Sequence, residues 1–175
     1  MMKLSPRYEL LQNQLSKRIL VMDGAMGTAI QALDFEEADY RGERFKDHPV
    51  DLKGNYDILI LSLPDAIKGI HLDYLNAGSD IIGTNTFTAN GVSQSDFKTE
   101  DLVYEVNYEA AKVAKSAVDE VMEKDPSKPR FVAGSIGPTT RAASLSPKVS
   151  DPGFRSVTFD QLVDDYTNAM RGLLD

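Results

Sequence analysis

The sequence predicts an α/β fold built on a parallel sheet, and three observations carry that expectation. Three short apolar segments alternate with stretches of helical periodicity, the connections between them are far too long for hairpins, and the apolar segments run continuously. A continuous apolar run suits a strand covered on both faces, and a crossover of a dozen or more residues joins parallel neighbours. Alternation of this kind gives either a barrel or an open doubly wound sheet, and periodicity does not choose between them.

Residues 1–17 read as a helical lead-in, with a short helix over residues 8–15 that covers one end of the sheet, and residues 18–175 as one domain. The first strand candidate is Arg18-Ile19-Leu20-Val21-Met22, four apolar residues in a row stopped by Asp23-Gly24. The second is Asp80-Ile81-Ile82-Gly83-Thr84-Asn85, and the third is Arg130-Phe131-Val132-Ala133-Gly134-Ser135, ended by Ile136-Gly137-Pro138. Pro64-Asp65 opens a helix whose apolar face is Ile67, Ile70, Tyr74 and Leu75, and Gly78 is placed to end it. A longer helix over about residues 100–123 carries a stripe of Leu102, Val103, Val106, Ala110, Val113, Ala114, Ala117 and Val121, closed off by Pro126 and Pro129. Thr158, with Gln161 three residues on, has the spacing of a capping box for the last helix. Phe159, Leu162, Val163, Tyr166, Met170, Leu173 and Leu174 keep its period to the final residues.

The composition, 42% hydrophobic and 26% charged, is that of a soluble globular chain. A net charge of -8 argues against non-specific nucleic-acid binding and, less strongly, against an anionic membrane surface. There is no cysteine, which removes a disulfide framework, a thiol nucleophile and any thiolate metal site together. No carboxylate–histidine cluster surrounds His48 or His71, so both read as structural or surface residues. The start lacks the apolar run of a signal peptide, and no apolar stretch approaches the roughly 18 residues of a membrane span, so a cytoplasmic address is expected.

In parallel α/β folds, functional groups gather where strands end and loops begin. Asp23-Gly24-Ala25-Met26-Gly27-Thr28 places two glycines after a strand, where backbone approaches a ligand closely and the Gly27 and Thr28 amides receive a carboxylate, or simply form a tight turn. It is neither a dinucleotide fingerprint nor a P-loop. Asp23 is the one carboxylate at a strand end followed by glycines, suited to an ammonium group, to base catalysis, or to capping its own turn. Thr84-Asn85-Thr86-Phe87 offers neutral groups that orient a small polar ligand or form a turn. Ser135, beside the stiff Gly137-Pro138 turn, is a candidate donor and lacks the histidine that a nucleophile needs. Met22 and Met26 read as packing residues.

These segments, in this order, resemble the homocysteine S-methyltransferase family. Val21-Met22-Asp23-Gly24-Ala25-Met26-Gly27-Thr28 is similar to its opening strand and substrate loop, and Ala77-Gly78-Ser79-Asp80-Ile81-Ile82 leading into Thr84-Asn85-Thr86-Phe87 to its second strand end. Tyr40-Arg41-Gly42-Glu43-Arg44-Phe45, Leu52-Lys53-Gly54-Asn55 and Asp57-Ile58-Leu59 resemble an insertion of one branch, the cobalamin-dependent methionine synthases. Leu145-Ser146-Pro147 and Thr158-Phe159-Asp160-Gln161-Leu162 extend the likeness.

The resemblance implies a (βα)8 barrel of the TIM type, of which this chain is the N-terminal portion, about three βα units; a complete barrel needs about 250 residues. It implies a homocysteine pocket formed by Asp23, Gly24, Met26, Gly27, Thr28, Thr84, Asn85 and Ser135. Methyl transfer would run from methylcobalamin to a homocysteine thiolate on zinc held by three cysteines of later strands. Zinc and cobalamin are thus cofactors of the longer protein, bound by no residue present here, and the chain alone is expected to be inactive. Its expected partners are homocysteine, the remaining barrel strands, and the folate and cobalamin domains. Gly83 departs from the pattern, standing where these synthases more often carry a glutamate. An uncovered sheet edge is expected to favour self-association. Two other readings stay open: a non-catalytic homocysteine- or methionine-binding module without zinc, and an unrelated barrel enzyme acting on a phosphorylated substrate. The strand-end motifs carry no lysine or arginine apart from Arg141, which counts against the last.

Overall fold

Ser5 accepts the Tyr8 amide and Pro6 fixes the first turn, so the described residues open on helix α1 (Pro6–Leu15). A computed structural model of the protein describes residues 5–175. After α1 come two short helices, α2 (Met26–Gln31) and α3 (Glu37–Arg41), then α4 (Leu59–Ser62) and α5 (Pro64–Ala77). Strand β1 (Ile81–Gly83), α6 (Gly91–Gln94), α7 (Val103–Lys124), strand β2 (Phe131–Ala133) and α8 (Phe159–Leu174) complete the order.

The sheet is parallel, as the long crossovers require: Ile81, Ile82 and Gly83 of β1 lie opposite Phe131, Val132 and Ala133 of β2. The expected first strand differs. Residues 18–22 contribute a single parallel bridge between Met22 and Ile81, supported by the Asp80 and Ile81 amides on the Val21 carbonyl. Ile19 is 89% exposed and Val21 56%, so this segment is not covered on both faces. It forms the edge of the sheet, and its pairing is to β1 on one side among the described residues. The expected three strands are therefore two strands and a bridge.

The helices follow the periodicity closely. Gly78 ends α5 at φ 115°, a left-handed position where glycine avoids the Cβ penalty. The helix expected from residue 100 begins as one 3-10 turn (Glu100–Leu102) and becomes α-helical at Val103. Its buried stripe of Val103, Val106, Ala110, Ala114, Ala117 and Val121 matches the sequence expectation. Gly172 lets α8 lie close on the first turns of α7: a β-carbon there would fall 2.4 Å from the Tyr104 carbonyl oxygen. The capping box forms, with Thr158 accepting the Gln161 amide and Gln161 accepting the Thr158 amide. On the far side of α8, Phe159 (74% exposed) and Leu174 (85%) remain uncovered.

Two apolar clusters hold these elements. One gathers Ile30, Tyr40, Leu52, Ile58, Leu59, Ile60, Ile67 and Val106; the other sets Leu75 and Ile82 against Ala114, Ala117 and Val118. At the N-terminal end of the strands, Asp80 binds the Arg18 guanidinium through both oxygens at 2.8 and 2.9 Å and also accepts the Val21 amide. The same end is covered by α1, where Arg7 donates to the Arg130 carbonyl and lies 5.8 Å from the Phe131 ring centre.

Candidate functional site

Parallel pairing puts the ends of residues 18–22, β1 and β2 on one side of the sheet, and a cleft of about 630 Å³ opens there. Its walls include Asp23, Gly24, Met26, Gly27, Thr84, Asn85 and Ser135, seven of the eight residues singled out in the sequence. Thr28 does not line it; one residue further into α2, it is exposed. Met22 and Met26 both lie on the walls; Met22 is 54% exposed, whereas Met26 also packs against the apolar core, as expected of a packing residue. Ala25 adopts φ 46° immediately before α2, which turns the chain from strand end to helix within three residues of Met22.

Asp23 reaches across to the neighbouring strand, where its two oxygens share the Gly83 amide at 3.0 Å each. Burial pushes its carboxyl up and the Gly83 hydrogen bond opposes the shift. A carboxylate has about four acceptor sites, and one shared N–H leaves most of that capacity unspent. A β-carbon at Gly83 would sit 3.6 Å from the Met22 methyl and 3.7 Å from Asp23, ordinary contacts.

The two threonines have different work. Thr84 Oγ1 accepts the Ser135 amide at 2.8 Å, Thr86 donates its hydroxyl to the Ser135 carbonyl at 2.8 Å, and the two hydroxyls meet at 2.7 Å. Since Thr86 spends its proton on Ser135, Thr84 must donate to Thr86, closing a buried ring that latches the two strand-end loops together. Both bonds to Ser135 use its backbone, so its hydroxyl is not spent in them. Asn85, 4% exposed, gives a side-chain N–H to the Tyr56 carbonyl at 2.8 Å.

The sequence reading missed the wall formed by Gly54, Tyr56, Asp57 and Thr88; Phe87, at the end of the segment it did single out, also lines the cleft. Residues 34–57 are brought there by their own polar frame. Glu37 accepts the Leu52 and Lys53 amides, and Arg41 donates to the His48 and Val50 carbonyls at 2.8 and 3.0 Å. Gly42, at φ 49° and with Ser62 3.3 Å from where its β-carbon would be, makes the turn that lets this frame close. Asp57 is 2% exposed, and burial pushes its carboxyl up to about 6 against hydrogen bonds from Thr88 and Phe87. The available signal was a carboxylate at the head of the run Ile58-Leu59-Ile60-Leu61, since a charge beside a buried run needs dedicated partners.

Neither Arg nor Lys lines the cleft. Arg141, the one cation near the strand-end motifs, pairs instead with Asp96 at 2.8 Å and with Ser95. Among the described residues no three His, Cys, Asp or Glu side chains cluster as a metal requires, and the sequence holds no cysteine. The described residues do not make a zinc site. No helix among the described residues is long and apolar enough to cross a membrane.

The geometry is that of an α/β chain with a cleft at the C-terminal ends of parallel strands, a class defined by the sheet and the strand-end loops together. The sequence pattern of homocysteine S-methyltransferases matches residues 20–175, and the chain belongs to that family. Its fold is similar to the crystal structure of the metallated homocysteine methyltransferase MmuM from Escherichia coli, with a TM-score of 0.68 and 22% identity. That match covers 94% of this chain and 53% of MmuM. The apo form of MmuM gives a TM-score of 0.57 at 21% identity, over 92% of this chain and 47% of that one. The chain thus spans about half the length of the solved structures it matches.

Proposed function

We propose that this chain supplies the homocysteine-binding part of a (βα)8 methyltransferase barrel of the cobalamin-dependent methionine synthase type. The supporting observation is the cleft itself: a carboxylate with unspent acceptor capacity, strand-end backbone, neutral hydrogen-bonding groups and no cation. Asp23 receives the substrate ammonium, and the backbone around Gly24 and Gly27 receives its carboxylate. Met22, Met26 and Phe87 offer an apolar, polarisable wall to the methylenes and sulfur. The absence of a cation on the walls also disfavours a phosphorylated ligand.

In the longer protein, zinc would be held by cysteines that this sequence does not contain and would activate the thiol, and methylcobalamin would supply the methyl group. The residues here bind and orient the amino acid and exclude water from one side of it; methyl transfer needs groups from outside the chain. The uncovered edge of residues 18–22 and the bare face of α8 are where further strands and helices of the barrel pack, and the folate and cobalamin domains lie beyond them.

Calorimetric titration of the 175-residue protein with L-homocysteine and L-methionine tests the reading. Saturable binding of either amino acid, weakened when the α-amine is acetylated, is the expected result; no heat with either at millimolar concentration contradicts it. Binding accompanied by tight zinc uptake or methionine formation from methylcobalamin would overturn the division of labour. The second reading, a stand-alone binding module, is favoured if binding occurs with a sharp melt and no self-association.

A further inference from the structure

Asp57 stands where the 3-10 turn Tyr56–Ile58 meets the cleft. Its Oδ2 accepts the Thr88 amide at 3.0 Å, the Thr88 hydroxyl at 2.5 Å and, more weakly, the Gln94 side-chain N–H at 3.4 Å; the Phe87 amide also donates to this carboxylate. The neighbouring Tyr56 carbonyl accepts from Asn85. Two consecutive residues of one turn therefore hold both ends of the loop that follows β1. The anchor is fixed from behind: Gln94 exchanges hydrogen bonds with Asn55 at 2.8 and 3.2 Å, and Thr99 binds Gln94 at 2.7 Å. None of these partners is charged. A carboxylate buried among neutral groups is costly relative to a neutral amide or an apolar side chain, so packing alone does not account for it.

We propose that Asp57 is the positioning residue of the cleft: its carboxylate sets the loop that presents Asn85 and Phe87 to the ligand, so ligand affinity tracks the acceptor capacity of this one group. The proposal rests on the reading of the cleft as an amino-acid site. Two of the groups facing Asp57, the Thr88 and Phe87 amides, can only donate. Protonation turns one carboxylate oxygen into a competing donor and replaces charge-assisted bonds by neutral ones of about half the strength. Burial brings that protonation to about pH 6. The side chains bonded to Asp57, Thr88 and Gln94, do not titrate in this range, nor do Asn55 and Thr99 behind Gln94, and the other titratable groups on the cleft walls are Asp23 and Tyr56, the latter backed by Tyr40.

The test follows the Thr88 backbone amide by NMR in the whole chain, without ligand, between about pH 8 and pH 5. The amide is expected to shift with a midpoint near pH 6, to keep that midpoint in Asp23→Asn, and to lose it in Asp57→Asn. A Thr88 amide that does not move, or whose titration survives Asp57→Asn, overturns the proposal. Thr88→Val, which removes the hydroxyl and little volume, is expected to weaken L-homocysteine binding by about fivefold while the protein melts cooperatively; unchanged affinity in that variant also overturns it. If the wild type binds no homocysteine while Thr88 titrates as expected, the amino-acid reading fails and the loop anchor stands.

Discussion

Gly137 lies so tightly on Phe87 that a β-carbon built on it would fall 1.9 Å from the Phe87 carbonyl oxygen. The loop leaving β2 is thus pressed flush against the backbone of the loop leaving β1, at the point where Phe87 projects, 61% exposed, beside the cleft. The contact is with backbone, which cannot swing aside as a flexible side chain would. With the Thr84–Thr86–Ser135 ring it makes the two loops one unit, so the shape of the cleft depends on residues that never touch a ligand.

Gly137→Ala is therefore expected to force the loops apart. It should cost about 2 kcal/mol of stability, as overpacking does, and weaken amino-acid binding more than the stability loss alone explains. Urea unfolding with a parallel ligand titration measures both; a variant with wild-type stability and affinity would show that the loops separate freely.

Asp23→Asn keeps an oxygen for the Gly83 amide and removes the charge. Binding of L-homocysteine should fall on the order of tenfold to a hundredfold with little change in the urea midpoint. An equal loss for an N-acetylated ligand would show that Asp23 does not read the ammonium.

The Asp80 clamp is expected to matter for stability and not for binding. Arg18 holds the Asp80 carboxyl well below the usual carboxylate range. A depressed folded-state value gives stabilisation that is present above the unfolded value, near pH 4, and is lost as pH falls through the folded one. Asp80→Asn should lower stability at pH 7 by about 2–3 kcal/mol, leaving buried Arg130 and its neighbours without a counter-charge, and should flatten the loss below about pH 4. Denaturation midpoints between pH 7 and pH 3 check this; an unchanged acid limb would place the acid sensitivity elsewhere.

His71 and Asp57 pull the acid behaviour in opposite directions. His71 is fully buried in α5, with no hydrogen-bond partner for either ring nitrogen among the described residues, and burial lowers its value from 6.5 to about 4. As pH falls from about 6.5 to 4 the unfolded chain takes up this proton first, so stability drops, by up to about 3 kcal/mol. Asp57, raised from 3.8 to about 6, takes up its proton first in the folded state, so across the lower part of the same window it offsets the loss. His71→Leu should flatten stability between pH 6.5 and 4 and raise it at pH 5, having removed orphaned polar atoms; Asp57→Asn should steepen the acid loss. Parallel slopes in all three proteins would contradict the assignment.

The helices were legible because their signals are local: the Thr158–Gln161 box, Gly78 at a left-handed position, and the alanine-rich stripe of α7 each act within a few residues. Residues 18–22 were over-read, since an apolar run reports what a segment is built to meet, not what covers it. The glycine loop after Met22 and the polar groups after β1 could be placed on the cleft because parallel strands bring their ends to one side of the sheet. Tyr56 and Asp57 were not, because their placement depends on the Glu37–Arg41 frame and on Thr88, 31 residues away. The Thr84 hydroxyl illustrates the reverse limit: the sequence offers a donor, and only the fold reveals that its proton is committed to Thr86.

The measurement that bears most directly on the central claim is an amide NMR map of the ¹⁵N-labelled protein titrated with L-homocysteine. Saturable shifts concentrated at Gly24, Gly27, Gly83, Asn85 and Ser135, with Thr88 following, are the expected result. Shifts absent from these residues, or clustered instead on the exposed face of α8, would contradict it.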